Sequence, residues 1–235
     1  MEKAQKKGSI LSHSKNQKVT YYVLTEDRLE AALDVMTKGF YPYEPICTLY
    51  EISKNSEAMK EFNNLAEVVA RDNISLMAID DDTNELVGVC FNKKINQPKT
   101  GELAFFEKYL KEIFKNKTAI NVLDFMCTVD AGLDIFEKFN VSEAVELAFL
   151  AVSPTHRGRG IGSDLLTQSM NYIKANAIAP VVAMIGTSSY TIHMGKKLQF
   201  QILAEESYKN KNASDSVFNA VTKLHNKLIL FVKQL

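Results

Sequence analysis

Apolar residues recur with two different periods along the chain, and the change from one period to the other predicts where strands and helices lie. Short runs rich in β-branched and aromatic residues predict strands, which cover residues 19–24, 74–80, 85–92, 145–152, 180–186, 200–208 and 226–235. Apolar residues spaced three and four positions apart predict helices, which cover residues 26–39, 56–71, 103–117, 131–139, 161–170 and 187–199. Strands and helices therefore interleave along the chain.

The order of these elements indicates one domain of the α/β or α+β class over residues 19–235, with a mixed sheet flanked by helices. Residues 1–18 are polar and basic and predict a disordered N-terminal tail. Residues 39–50 contain two prolines and three closely spaced aromatic residues, follow neither period, and predict an irregular loop. Residues 209–216 predict a second, polar loop.

Composition narrows the possible partners. The chain has 28 Lys and Arg residues and 28 Asp and Glu residues, so its formal net charge is zero. A balanced charge argues against nucleic acid or an anionic membrane as a partner. The three cysteines are widely spaced and form neither a disulfide framework nor a metal cluster, which predicts a reducing, cytoplasmic compartment. No apolar run approaches the length of a membrane span.

The most informative stretch joins the strand at residues 145–152 to the next helix through the turn RGRGIG, residues 157–162. Backbone N–H groups at a helix N-terminus are free to bind phosphate groups, and glycines let the backbone approach them. The turn lacks the Gly-Lys-Ser/Thr of a P-loop, and its glycines have the wrong spacing for a dinucleotide-binding fingerprint. A tight turn could explain any single glycine, but it explains poorly the two arginines beside three glycines.

The spacing Arg-x-x-Gly-x-Gly, on Arg157, Gly160 and Gly162, resembles the acetyl-CoA motif of the GNAT superfamily of N-acetyltransferases. The resemblance implies a twisted mixed sheet of about seven strands, and a strand that splays and pairs with the pantetheine arm of acetyl-CoA. It also implies that a backbone N–H near Ala151–Val152 polarises the thioester carbonyl. The implied acetyl-CoA-binding residues are Leu150, Ala151, Val152, Arg157, Gly158, Arg159, Gly160, Ile161, Gly162, Ser163 and Ser188.

The loop segment FYPYEP, residues 40–45, resembles the acidic loop of insect-type arylalkylamine N-acetyltransferases, the group that includes dopamine N-acetyltransferase. In that group a Glu followed by Pro is the proposed catalytic base, a role that the resemblance gives to Glu44. The chemistry is consistent, because an alkylamine with a pKa near 10 must lose a proton before it attacks a thioester. Phe40, Tyr41 and Tyr43 could stack on the arylalkyl group. The alternative is that Glu44 is an ordinary solvated loop acid.

Hydroxyl groups near the predicted helix at 187–199 are candidates for protonating the thiolate that leaves. The resemblance favours Ser188 and Thr191, although both could equally serve only to cap the helix. His193, His225 and Cys47 are weaker candidates, and residues 80–82, three consecutive Asp, are better explained by a turn than by a metal site.

Together these features predict an acetyl-CoA-dependent N-acetyltransferase that uses no metal and transfers acetyl directly to an arylalkylamine in a ternary complex. We expect a cytoplasmic monomer without a nucleic-acid or membrane partner. Two alternatives remain open: a different acceptor such as a polyamine, an agmatine-type amine or a protein lysine, and a non-catalytic CoA-binding module.

Overall fold

The structure, a computed structural model, describes residues 10–14, 17–129, 133–208, 221 and 223–235. Its centre is an open sheet of eight strands in the order β1-β2-β3-β4-β5-β6-β8-β7. The strands are β1 Ile10–Ser14, β2 Val19–Val23, β3 Leu76–Asp80, β4 Leu86–Asn96, β5 Glu143–Val152, β6 Val181–Gly186, β7 Gln201–Ser207 and β8 Lys227–Gln234. All pairs are antiparallel except β5 with β6. The predicted mixed α/β class is confirmed, with eight strands instead of about seven.

Helices cover both faces of this sheet. They are α1 Leu29–Gly39, α2 Pro45–Leu49, α3 Ser56–Ala70, α4 Phe105–Lys108, α5 Lys117–Cys127, α6 Ile135–Phe139, α7 Ile161–Ala175 and α8 Ser189–Lys197. One buried apolar cluster contains side chains of α1, α3 and α5, and a second contains side chains of α7 and α8. None of the described helices is long and apolar enough to cross a membrane.

Several elements differ from the sequence prediction. Ile10–Ser14 lies within the predicted tail but forms β1, which pairs with β2, whereas residues 1–9 and 15–16 lie outside the described residues. The predicted helix at 103–117 is α4 followed by a π-helical turn at Tyr109–Ile113, and α5 begins only at Lys117. The loop predicted at 209–216 lies outside the described residues, as do residues 130–132 of the predicted helix at 131–139.

The sheet opens between β5 and β6. These two strands pair only at Val145 with Val182 and at Glu146 with Ala183. On its other side β5 stays paired with β4 as far as Val152, with a register shift between Phe91 and Asn92. From residue 147 onwards, the edge of β5 that faces β6 therefore has no strand partner. The resulting gap positions the candidate site.

A buried polar network supports the register shift. Asn92 is fully buried, and its side-chain amide donates to the carbonyl of Ile74 at 2.8 Å and to Ser169 Oγ at 3.0 Å. Its backbone N–H donates to Ser75 Oγ at 3.1 Å. Burying a polar group costs free energy unless it is hydrogen-bonded. These contacts therefore stabilise the irregular stretch of β4 where the register of its pairing with β5 shifts.

Candidate active site

The gap between β5 and β6 opens into a cavity of about 890 Å³. Its walls come from the end of α1, the start of α2, α5, the second half of β5, residues 156–158 and 160–163, the end of β6, and α8. The glycine turn lies in one part of this wall and Glu44 in another, although more than a hundred residues separate them in the chain. The structure thus brings the two sequence-predicted motifs to one cavity.

Backbone geometry makes the turn suitable for phosphate groups. Gly158 and Gly160 have φ of 74° and 87°, a region that favours glycine. Gly160 is the N-cap of α7, and its carbonyl accepts the first hydrogen bond of the helix, from the backbone N–H of Asp164. The N–H groups of the first helical turn therefore remain available beside the cavity. A bound pyrophosphate would fit this arrangement, because α7 has its positive dipole end there.

The two arginines of the turn have different positions. Arg157 lines the cavity, donates from Nη2 to the carbonyl of Gly39 at 2.6 Å, and places its guanidinium 3.8 Å from the centre of the Tyr43 ring. Arg159 is absent from the described lining of the cavity. Its side chain instead donates to the backbone carbonyl of Gln17 and lies 3.9 Å from Asp80 Oδ2.

The strand residues implied for the thioester alternate across β5. Leu150 and Val152 line the cavity, whereas Ala151 is almost fully buried and pairs with Val89 of β4. Gly39 ends α1 directly against this strand, and a Cβ there would lie 2.7 Å from the Val152 carbonyl oxygen. A side chain at Gly39 would therefore push α1 away from β5. The loop that carries Glu44 begins at this contact.

Glu44 is a buried acid with one paired and one unpaired oxygen. Only 7% of the residue is exposed. It is the N-cap of α2, where Oε2 accepts a hydrogen bond from the backbone N–H of Cys47 at 2.6 Å. Oε1 is also buried but accepts no hydrogen bond of ordinary geometry from a described group. The unpaired oxygen thus belongs to a residue that borders the cavity in which a ligand would lie.

The surroundings of Glu44 favour the protonated carboxyl more than water does for a solvated acid. Burial raises the pKa of the Glu44 carboxyl, while the N–H of Cys47 and the hydroxyl of Thr187 act in the opposite direction. The same burial, together with the nearby carboxylate, raises the pKa of the Cys47 thiol well above its usual value. A carboxylate with a raised pKa is a stronger base near neutral pH. The solvated-acid alternative for Glu44 does not agree with this geometry.

The three aromatic residues before Glu44 separate in the structure. Phe40 lines the cavity and makes an edge-to-face contact with Phe149, with ring centres 5.9 Å apart. Tyr43 lines the cavity at its exposed rim. Tyr41 is fully buried outside the cavity lining, and its hydroxyl donates to Asn63 Oδ1 at 2.7 Å. Tyr41 therefore belongs to the core beneath the loop.

The two candidate hydroxyl residues form a helix cap that also faces the cavity. Ser188 is the N-cap of α8, and its Oγ accepts a hydrogen bond from the backbone N–H of Thr191 at 3.1 Å. The two side-chain oxygens lie 2.5 Å apart. Both residues line the cavity. The capping interpretation is therefore supported, and the position leaves both hydroxyl groups beside bound ligands.

Two cavity residues, Thr187 and Glu146, were not chosen as site residues from the sequence, and a third, His225, was only a weaker candidate. Thr187, which follows β6, has the hydroxyl that lowers the pKa of Glu44, and its carbonyl accepts a hydrogen bond from Tyr208 at 2.5 Å. Glu146 lines the cavity where β5 and β6 separate. His225 lines it as well, and its Nδ1 accepts from the backbone N–H of Ser189 at 3.1 Å. A charged residue within the apolar strand at 145–152 was the one sequence signal for Glu146.

The three consecutive aspartates form a turn, as predicted. Asp80 Oδ1 accepts the backbone N–H groups of Asp82 and Thr83, both at 3.0 Å. Among the residues that the structure describes, no group of three or more His, Cys, Asp or Glu could hold a metal ion.

Comparison with known proteins agrees with this geometry. Residues 36–191, about two thirds of the chain, match the sequence model of the acetyltransferase (GNAT) family. No curated protein matches the sequence.

Solved structures of insect enzymes share the fold. Arylalkylamine N-acetyltransferase 2 from Aedes aegypti superposes with a TM-score of 0.80 at 17% identity, over 92% of this chain and 98% of that chain. The putative arylalkylamine N-acetyltransferase 7 from the same mosquito has a TM-score of 0.78 at 21% identity, over 92% and 87%. The polyamine N-acetyltransferase of Drosophila melanogaster, which forms N-acetylagmatine, has a TM-score of 0.73 at 15% identity, over 92% and 100%. These likenesses confirm the predicted GNAT fold and its resemblance to the insect group.

Proposed function

The chain belongs to the acetyltransferase (GNAT) family and is an N-acetyltransferase, and we propose that its acceptor is an arylalkylamine of the dopamine, tyramine, octopamine or serotonin class. The observation that carries this proposal is the unpaired, buried Oε1 of Glu44 in a largely apolar cavity that also contains the phosphate-binding turn. The GNAT family uses acetyl-CoA as its acetyl donor. We propose that residues 19–235 act as one catalytic domain.

The donor end of the cavity holds acetyl-CoA chiefly through backbone groups. The N–H groups at the start of α7 bind the pyrophosphate. The unpaired edge of β5 offers hydrogen bonds to the pantetheine arm, and a backbone N–H near Ala151–Val152 stabilises the negative charge that develops on the thioester oxygen. Glycines at 158 and 160 keep this surface open.

Glu44 acts as the general base. An arylalkylamine enters as an ammonium ion, which the carboxylate attracts, and Oε1 accepts the proton directly or through water. The neutral amine then attacks the thioester carbon in the ternary complex, the C–S bond breaks, and CoA leaves as a thiolate. Ser188 or Thr191 is positioned to donate a proton to the sulfur, since both hydroxyl groups line the cavity.

The walls near Glu44 favour an aromatic acceptor over a polyamine. The acceptor end is lined by apolar side chains, among them Phe40, Pro45, Phe106, Leu123, Met126 and Phe149. A polyamine carries further ammonium groups that need carboxylates. Glu146 is the one other acid among the described lining residues, and it already has an interaction of its own.

Two further properties belong to the proposal. We propose a cytoplasmic location, which the wide spacing and odd number of the three cysteines favour, and a monomer.

An amine panel tests the acceptor. Purified protein is incubated with acetyl-CoA and each amine, and the released CoA thiol is followed with a thiol reagent. We expect kcat/KM for dopamine, tyramine and serotonin to exceed that for agmatine and spermidine. The fold likeness to the polyamine N-acetyltransferase makes agmatine the second candidate. A higher kcat/KM for agmatine would refute the arylalkylamine assignment.

A further inference from the structure

Gln17, which lies shortly before β2, packs against the phosphate-binding turn. Gln17 lies at this contact, where its Nε2 is 3.1 Å from the position that a Cβ on Gly160 would occupy. Since Gly160 also has φ of 87° and forms the N-cap of α7, the backbone there has little freedom to move towards Gln17. Gln17 lies outside residues 36–191, the segment that matches the family, whereas Gly160 lies within it.

Gln17 is itself held by three hydrogen bonds. Its N–H donates to the carbonyl of Ser14 at 3.1 Å, and its Oε1 accepts from the Tyr21 hydroxyl at 2.7 Å. Its backbone carbonyl accepts from the guanidinium of Arg159. The Tyr21 hydroxyl, on a residue only 1% exposed, also lies 3.2 Å from Asp164 Oδ2 in the first turn of α7. The hairpin is therefore joined to both ends of the phosphate-binding turn.

A second anchor comes from Asp80, the last residue of β3. Asp80 Oδ2 lies 3.2 Å from His156 Nε2 and 3.9 Å from Arg159 Nη1. The backbone N–H groups that bind its other oxygen hold the pKa of the Asp80 carboxyl below its usual range, so this anchor stays charged. His156 and Arg159 flank the turn on both sides of Gly158. Gln17, Tyr21, Asp80 and Arg159 together are called the turn brace.

The turn brace changes the role of Arg159. A guanidinium beside a phosphate site usually binds phosphate directly, but this one is directed to Asp80 and to the carbonyl of Gln17. We propose that Gln17 and Arg159 are positioning residues, which hold the donor turn in the shape that lets its backbone N–H groups bind the phosphates of CoA. This inference rests on the proposed donor site.

Binding of CoA itself tests the brace without any acceptor. Gln17→Ala removes the side chain that contacts Gly160 and Tyr21. Arg159→Lys keeps the positive charge but loses the planar guanidinium group, which can donate several hydrogen bonds at once. We expect each variant to bind CoA about tenfold more weakly in calorimetry, the size of one lost hydrogen bond. The double variant should lose less than the product of the two, because the residues act together. Lys18→Ala is the matched control, since its exposed ion pair with Asp82 lies on the same hairpin, and it should bind CoA as the parent does.

A shortened acetyl donor distinguishes a positioning role in phosphate binding from a general loss of enzyme structure. S-acetylpantetheine lacks the phosphates, so its kcat/KM should be the same in Gln17→Ala and in the parent, while kcat/KM for acetyl-CoA falls about tenfold. An equal loss with both donors, or unchanged CoA affinity in both single variants, would overturn the proposal. Because calorimetry needs no amine, a wrong acceptor assignment would leave this test intact.

Discussion

Glu44→Gln separates the basicity of this side chain from its structural role. The amide oxygen of glutamine can accept the N–H of Cys47 as Oε2 does now, so the cap of α2 is retained. The amide nitrogen then occupies the position of Oε1, which accepts no hydrogen bond of ordinary geometry from a described group. We therefore expect the variant to fold and to bind CoA like the parent, while it loses the ability to accept a proton.

The expected loss follows from the protonation of the acceptor. General bases contribute about 10²- to 10⁴-fold, so we expect kcat/KM for an arylalkylamine to fall at least 100-fold at pH 7.5. For an amine with a pKa of about 10, only about 1 in 300 molecules is neutral at pH 7.5, and about 1 in 4 at pH 9.5. The variant should accordingly gain about 75-fold between these two pH values, because solvent supplies the deprotonated amine.

The parent should behave differently over the same range. Burial raises the pKa of Glu44, so the parent loses activity as the pH falls through that raised value and the carboxylate becomes protonated. Steady-state thiol release between pH 5.5 and 9.5 measures both profiles. Glu57→Gln, an exposed acid in the first turn of α3, is the control and should match the parent. A variant that keeps a third of the parent's kcat/KM at pH 7.5, or whose deficit does not shrink at pH 9.5, would refute the base assignment.

Three further variants test other parts of the cavity. Gly160→Ala should weaken CoA binding in calorimetry more than Gly158→Ala does. Both variants place alanine in a left-handed backbone, but only the new Cβ at position 160 also meets a side chain, that of Gln17. Equal losses would contradict this. Thr187→Val removes a hydroxyl that lowers the pKa of Glu44, so the acid limb of the kcat/KM profile should move to higher pH, and an unmoved limb would count against the contact. Phe106→Ala should raise the KM for an arylalkylamine several-fold and leave the KM for acetyl-CoA unchanged, and a change in the second constant alone would show that Phe106 faces the donor.

The sequence was most informative where local geometry decides the structure. The spacing of the glycines after an apolar strand predicted the turn, because Gly158 and Gly160 adopt a left-handed backbone that favours glycine. Runs rich in β-branched and aromatic residues likewise predicted most strands. Glu44 could be chosen as a candidate from its neighbours and the family resemblance. Its burial could not be predicted, because it depends on segments distant in the chain, such as α5, which contacts α2, and Thr187.

Side-chain direction in irregular segments could not be predicted. Tyr41 and Tyr43 are two positions apart in a loop without a period, so nothing in the sequence indicates that one is buried and the other borders the cavity. Arg157 and Arg159 are also two apart, and only the positions of Asp80 and Gln17 direct the second one away. The strand β1 was hidden because a short polar segment on a sheet edge gains its stability from the neighbouring strand.

In the proposed site the two ends of the cavity recognise their ligands by different means. For this reason the sequence indicates the donor more clearly than the acceptor. The donor end uses backbone N–H groups, whose exposure depends on the local backbone conformation. The spacing of glycines indicates that conformation directly in the sequence. The acceptor end uses side chains from α1, α2, α5 and β5, which meet only after folding. A change at Phe106 or Leu123 would alter the acceptor without altering the motif, so relatives with the same turn can act on different amines. Acceptor specificity should therefore follow the apolar wall around Glu44, and exchanges in that wall should change the ranking of amines while the affinity for CoA stays constant.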